Sequence, residues 1–268
     1  MELNEKSLWM FDVDNTLVLD VENPKVFPDA MNLWKHLESM GKTNAILTNV
    51  GRLSSRQINN VLSEAGFDTV TDRTFSAGAA AAAYVHNRSP GANCFVISEG
   101  GATEDFVARG LNVTNNPPIE YVAVAADRGL TFQELNFATK MVKEGAALIC
   151  ISGSWDYRGV YLGVEDVYIG ERSIAAAIEH ATGVNAVVVG KPMPEIFIET
   201  VKVLGFDVED SVMIGDNLDS DIAGAKAAGM TTILVDRGLD NVVEFDSNGL
   251  EREPDFSVSS LDEIISLL

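Results

Sequence analysis

Apolar runs alternate with polar stretches along the chain in a rhythm that predicts strands and helices in turn. The first run, Leu8-Trp9-Met10-Phe11, is short and bounded as a buried strand is. After a loop holding Pro24 and Pro28, the positions Met31, Leu33, Trp34, Leu37 and Met40 recur at helical spacing as far as Gly41. Ala45-Ile46-Leu47 predicts a second strand, ending on Thr48-Asn49, and Ser54 or Ser55 caps a helix through Ile58, Val61 and Leu62 to Gly66. This βαβα order implies a parallel sheet with right-handed crossovers.

The alternation then starts again. An alanine-rich helix over 77–85 leads to a strand at 94–97, a helix at 104–110, a strand at 121–125, a helix at 131–143, a strand at 147–151 and a helix at 173–181. This second series could form a sheet of its own. The last third predicts a strand at 187–189, a helix at 195–204 and a strand at 212–214. A helix rich in small residues around Ala223-Gly224-Ala225, a strand at 232–235 and a final helix at 261–268 complete the chain.

Composition narrows the partners. Of 268 residues, 40 are Asp or Glu and 19 are Lys or Arg, a formal net charge of −21. That charge argues against a nucleic acid polymer or an anionic membrane surface, both of which need basic patches. An anionic substrate would need local positive charge to overcome a repulsive global field. No apolar segment approaches the roughly 20 residues of a membrane helix. The polar start, Met1-Glu2-Leu3-Asn4-Glu5-Lys6, does not read as a signal peptide, so a cytoplasmic protein is expected. Cys94 and Cys150 lie inside apolar runs and read as buried thiols. His36, His86 and His180 sit in helix-like segments without a ligand-spaced partner, which makes them helix filler rather than metal ligands or catalysts.

The chemistry gathers at four strand ends: Asp12 with Asp14, Thr48 with Asn49, Lys191, and Asp216 with Asp221. On an extended strand Asp12 and Asp14 project to the same side. Two such carboxylates repel unless a divalent cation or a proton intervenes. Singly, each group reads as loop punctuation or a solvated side chain. Together they suit phosphoryl transfer, in which a dianion is held, neutralised and aligned with a nucleophile. Carboxylates can hold Mg²⁺, Lys191 supplies positive charge, and the Thr48 hydroxyl and nearby N–H groups bind phosphoryl oxygens. One aspartate attacks, while the other protonates the leaving alcohol and then activates water.

The same residues carry a family resemblance. Asp12-Val13-Asp14-Asn15-Thr16, then Thr48, Lys191 and Gly215-Asp216 with Asp221, resemble in order and strand context the four motifs of haloacid dehalogenase superfamily phosphatases. The resemblance covers nearly the whole chain. It implies that Asp12 is the nucleophile and becomes an aspartyl-phosphate, and that Asp14 is the general acid/base. It implies that Thr48, Asn49 and Lys191 bind the phosphoryl group. Mg²⁺ would be held by Asp12, Asp14 (through its carbonyl) and Asp216, with Asp221 in support and Asn217 nearby.

The long interval between Thr48 and Lys191 resembles the type IIA cap, whose owners include nitrophenyl-phosphate-cleaving, nucleotide and small-polyol phosphatases. Asp127-Arg128-Gly129-Leu130-Thr131-Phe132 and Gly190-Lys191-Pro192 are among the matching phrases. The expected architecture is α/β: a Rossmann-like parallel-sheet core domain over 1–86 and 182–268, with an α/β cap domain inserted over 87–181. Three positions depart from the pattern. Asn15 replaces the usual Gly, Ser152-Gly153-Ser154-Trp155-Asp156 replaces a Thr-Asn-Pro-Asp phrase, and Ile169-Gly170 replaces Pro-Gly. Trp155, Tyr157 and Arg128 read either as substrate contacts from the cap or as cap packing. The substrate is expected to be a small phosphorylated metabolite, and an exposed cap sheet could support a homodimer. The competing readings are a catalytically weak protein of the same fold that only binds, and a receiver-type phosphoacceptor.

Overall fold

The computed structural model describes residues 3–238 and 249–268. The chain opens with β1 (Leu8–Phe11), α1 (Pro28–Ser39), β2 (Thr43–Thr48), α2 (Ser55–Glu64) and β3 (Thr74–Ser76). Local signals set these elements. Pro28, whose fixed φ suits a first turn, begins α1. Ser54 caps α2 in a reciprocal box with Gln57.

The middle of the chain contains α3 (Ala77–Arg88), β4 (Asn93–Ile97), α4 (Gly101–Ala108), β5 (Asn112–Val113), β6 (Tyr121–Val124), α5 (Phe132–Lys143) and β7 (Ala147–Cys150). It continues with β8 (Asp156–Tyr161), β9 (Val164–Ile169), α6 (Glu171–Thr182) and β10 (Val187–Val188). The last part holds α7 (Pro194–Leu204), β11 (Ser211–Gly215), α8 (Ala223–Ala228), β12 (Thr231–Val235), β13 (Phe256–Val258) and α9 (Asp262–Ile265).

Two parallel sheets result. The first has the order β13-β12-β11-β1-β2-β3, and the second β10-β7-β6-β4-β5. β1 lies between β2 and β11, with Leu8 opposite both Thr43 and Ser211. All four of its residues are buried, as a strand covered on both faces requires. Alternation sorts them: Trp9 and Phe11 join the core with Trp34 and Phe67, while Leu8 and Met10 join Leu47, Phe197 and Met213 on the other face. Trp34 fits between Phe11 and Phe67, with ring centroids 5.2 and 5.3 Å away.

The expected junctions at 86/87 and 181/182 fall inside the packing of the second sheet. Ala77, Ala81, Ala82 and Val85 of α3 share a core with Cys94, Phe106, Ala123 and Ile149, and β10 is an edge strand of that sheet. The alanines explain the close fit of α3, since small side chains let it approach α4. The ribbon β8–β9, the short strands β3, β5 and β13, and a final helix of one turn are the differences from the sequence expectation. The ribbon turns on Leu162 and Gly163, both at positive φ (52° and 79°), a turn that suits the twist of a hairpin. No helix among the described residues is long and apolar enough to cross a membrane.

Candidate active site

The carboxyl ends of β1, β2 and β11 meet where the first sheet faces the inserted unit. Asp12 follows β1, and its N–H continues the ladder to the Ile214 carbonyl at 2.9 Å. The chain then tightens. The amides of Thr16, Leu17 and Val18 all converge on the Val13 carbonyl at 2.9–3.3 Å. Asn15 sits in this turn at φ 57°, a left-handed conformation that Asn tolerates better than most residues. That accounts for Asn in a place where the family pattern has Gly. The Arg237 guanidinium donates to the carbonyls of Asn15 and Thr16, both at 2.9 Å, and holds the turn from outside.

Lys191 is the electrostatic centre. Its side chain is buried, and Nζ donates to Asp12 Oδ1 at 2.7 Å, Asp221 Oδ1 at 2.5 Å and the Leu47 carbonyl at 3.1 Å. An ammonium has three hydrogens, so these contacts use them all. Burial works against the Lys191 charge, but the two carboxylates outweigh it and raise the pKa well above the usual lysine range. Asp221 is pushed up to about 6 by burial, against the pull of Lys191. Its second oxygen accepts the Asn217 amide at 3.1 Å. Glycines admit this packing: a Cβ on Gly215 would lie 2.2 Å from Asp221 Oδ2, and one on Gly190 2.3 Å from the Ile151 carbonyl.

Asp14 is held apart by the Val21 amide, which donates to its Oδ1 at 2.8 Å. Burial and the neighbouring charge of Asp12 raise its pKa to about 7, against Arg52. Thr48 is buried, and its hydroxyl oxygen accepts the Val50 amide at 3.2 Å, leaving the hydroxyl hydrogen to donate. The Asn49 side chain makes two bonds to the Lys191 backbone, at 2.9 and 3.0 Å. The Asn49 side chain thereby braces the peptide that carries Lys191, and the residue also lines the cavity.

Asp12, Asp14, Thr48, Asn49, Lys191, Asp216 and Asn217 all line one cavity of about 140 Å³. Residues separated by two hundred positions in sequence thus meet around one space. The inserted unit supplies part of the wall through Ser154, Tyr157 and Glu171. Arg52 also lines it, although nothing in the hydrophobic pattern marked that residue; its place just past a strand end was the only signal. Glu171 is buried and accepts the Ser152 hydroxyl at 2.9 Å, and burial raises its pKa. Trp155 packs instead against Arg172, 5.0 Å from its guanidinium carbon.

The oxygen donors of the cavity suit a cation. Carboxylate oxygens of Asp12, Asp216 and Asp221 lie within 4.8 Å of one another, beside a single ammonium. Three carboxylates against one lysine leave negative charge in excess, and all-oxygen donors suit a hard divalent ion such as Mg²⁺. Both Asp221 oxygens are already bonded within the protein, which places Asp221 behind the other two.

Comparison with known proteins agrees with this geometry. Residues 9–112 match the family of haloacid dehalogenase-like hydrolases, and residues 188–264 match a related family described as HAD-hydrolase-like. The chain belongs to the haloacid dehalogenase-like hydrolases. A p-nitrophenyl phosphatase from Archaeoglobus fulgidus has the same fold, with a TM-score of 0.86, 27% identity, and 98% of this chain and 99% of that chain covered. A 4-nitrophenylphosphatase from Thermotoga maritima aligns with a TM-score of 0.84 at 25% identity, covering 98% of each chain. An acid sugar phosphatase from Staphylococcus aureus is 26% identical over 99% of both chains. The two family matches contain the four motif positions of this hydrolase, and the interval between them is filled by the inserted unit.

Proposed function

We propose that the chain is a phosphatase that hydrolyses small phosphate monoesters in two steps through an aspartyl-phosphate on Asp12. The observation that carries this is the convergence of Asp12, Asp14, Thr48 and Lys191 on one cavity, with the phosphatase relatives in support. A carboxylate oxygen of Asp12 attacks phosphorus, and the bond from phosphorus to the leaving oxygen breaks. Asp14, whose pKa is raised to about 7 by desolvation and by the neighbouring charge of Asp12, gives that oxygen its proton. A water then loses a proton to Asp14 and attacks the phosphorus of the acyl phosphate, which releases phosphate and restores Asp12.

Lys191 fixes the orientation of Asp12 and offsets its charge through a bond that is buried and charge-assisted. Thr48 offers its hydroxyl hydrogen to a phosphoryl oxygen. Asp12, Asp216 and the backbone carbonyl of Asp14 would hold Mg²⁺, which supplies positive charge against the phosphoryl oxygens. The cavity, about 140 Å³, is smaller than the roughly 300 Å³ at which pockets for drug-sized ligands begin, and this favours a compact leaving group. Two buried, unpaired cysteines accord with a cytoplasmic setting.

The test is release of inorganic phosphate from 4-nitrophenyl phosphate and from a panel of sugar, polyol and nucleotide monophosphates, with Mg²⁺ and with chelator. Asp12→Asn is expected to lower kcat/KM by roughly 10⁴-fold or more while leaving the thermal transition in place. Undiminished turnover by that variant, or full activity after thorough metal removal, would overturn the mechanism.

A further inference from the structure

We propose that Arg52 grips the phosphoryl group of the bound monoester and that Arg128, from the inserted unit, positions it through Glu22. This assignment rests on the phosphatase reading above. Lys191 and Arg52 are the two cationic side chains among the described residues of the cavity wall. The three hydrogens of the Lys191 ammonium point to Asp12, Asp221 and the Leu47 carbonyl, so none is left for a ligand. A dianion entering a protein of net charge −21 needs donors with capacity to spare.

Arg52 has that capacity. It bonds Glu22 Oε2 through Nε at 3.2 Å and through Nη2 at 3.1 Å. The Nη1 edge of its fork remains for a ligand, and a planar guanidinium matches two oxygens of a phosphoryl group. The side chain is only 11% exposed, so this edge belongs to the cavity rather than to solvent. It lies near enough to Asp14 for its charge to act on that carboxyl, which places it at the reacting end of the space. Tyr157 closes the other side, with its ring centroid 4.8 Å from the guanidinium carbon. The Tyr157 hydroxyl is buried in the same wall without a partner and offers a second donor.

Glu22 is shared. Arg128 donates to Glu22 Oε1 through Nη2 at 3.1 Å and to Oε2 through Nη1 at 3.3 Å. Arg128 is itself anchored on Glu99, through Nε at 2.7 Å and Nη2 at 2.5 Å. Glu22 is thereby held on the far side of Arg52 and cannot swing round to occupy the edge facing the cavity. Glu22 belongs to the first unit and Arg128 to the second, so the Arg52 orientation depends on the two being together. The Asp127-Arg128 phrase, which the proposed mechanism does not use, acquires a role here.

The experiment titrates inorganic phosphate in the presence of Mg²⁺, by calorimetry and as a competitive inhibitor, against wild type, Arg52→Met, Arg52→Lys, Arg128→Gln and the Arg52→Met/Arg128→Gln double variant. Arg52→Met is expected to weaken phosphate binding by about ten- to a hundredfold, with part of the loss restored in Arg52→Lys. Arg128→Gln is expected to weaken it about fivefold, and the double variant to be no worse than Arg52→Met alone. Phosphate affinity within twofold of wild type in folded Arg52→Met would overturn the assignment, including the case where only substrates with a particular leaving group suffer. Additive losses in the double variant would overturn the positioning role of Arg128. A wild-type protein that neither binds nor releases phosphate would instead refute the phosphatase reading itself.

Discussion

At the residue scale, the site separates two carboxyls that the sequence places one residue apart. Asp12 is tied to Lys191, whereas Asp14 is half-buried beside a like charge, and desolvation and that charge raise its pKa to about 7. An acid works only while protonated, so kcat/KM for a sugar phosphate is expected to fall as pH rises through about 7. A cation on Asp12 offsets the second of the two causes and moves that limb to lower pH. Asp14→Asn is expected to abolish the limb and to cost more with alkyl than with nitrophenyl esters, whose leaving groups need less protonation. Profiles of wild type and Asp14→Asn against pH, with an alkyl and a nitrophenyl ester, check this directly. Lys191→Met leaves Asp12 and Asp221 buried without their counter-ion, a loss of about 3–5 kcal/mol. The Asp221 carboxyl, already pushed up by burial, would then lose the Lys191 pull that opposes it and hold its proton more tightly in the folded state. The deficit, measured by urea unfolding, should therefore shrink as pH falls towards 5.

At the element scale, α4 is docked on the loop that follows β2. The Gly101 amide donates to the Arg52 carbonyl at 3.1 Å, and a Cβ there would lie 2.3 Å from that same oxygen. One turn along, Asp105 accepts the Ser55 amide at 3.0 Å and the Ser76 hydroxyl at 2.6 Å, linking α4 to the starts of α2 and α3. Asp105→Ala would strand both donors and is expected to cost about 1–3 kcal/mol. Burial raises the Asp105 pKa to about 6, against those hydrogen bonds. The folded state therefore binds its proton more tightly than the unfolded chain. Stability from this group is full at pH below about 4, declines as pH rises to about 6, and is flat above. The slope should vanish in Asp105→Asn, measured as unfolding free energy against pH. The helices that carry these contacts were legible from their caps and spacing. The ribbon β8–β9 was not: Val160-Tyr161-Leu162 and Val167-Tyr168-Ile169 break the alternation of apolar and polar residues, and only Gly163 marks its turn.

At the scale of the whole molecule, a charge of −21 surrounds a site that must accept a dianion. The far field reaches tens of ångströms and is screened first, since the Debye length is about 10 Å at 0.1 M salt. Lys191, Arg52 and the cation act within the cavity and are screened much less. KM for a dianionic monoester is therefore expected to fall as NaCl rises from low concentration towards 0.1 M. A rise over that range would show that long-range repulsion does not limit capture. The two units also meet through ion pairs, with Arg128 gripping Glu22 across the boundary. The buried contacts of Asp105 and Gly101 are the part of that boundary that salt would not loosen.

The residues by themselves determined the strand ends, the four polar groups placed on them and the sign of the global charge. Those features follow from local spacing and from the rule that a buried strand is a short apolar run. Tertiary structure decided how the donors are spent: Lys191 on Asp12 and Asp221, Asn49 on the Lys191 peptide, and Arg52 on Glu22 with an edge to spare. Hydrogen-bond capacity is divided among neighbours that become neighbours only on folding, and no spacing in a linear chain records that division.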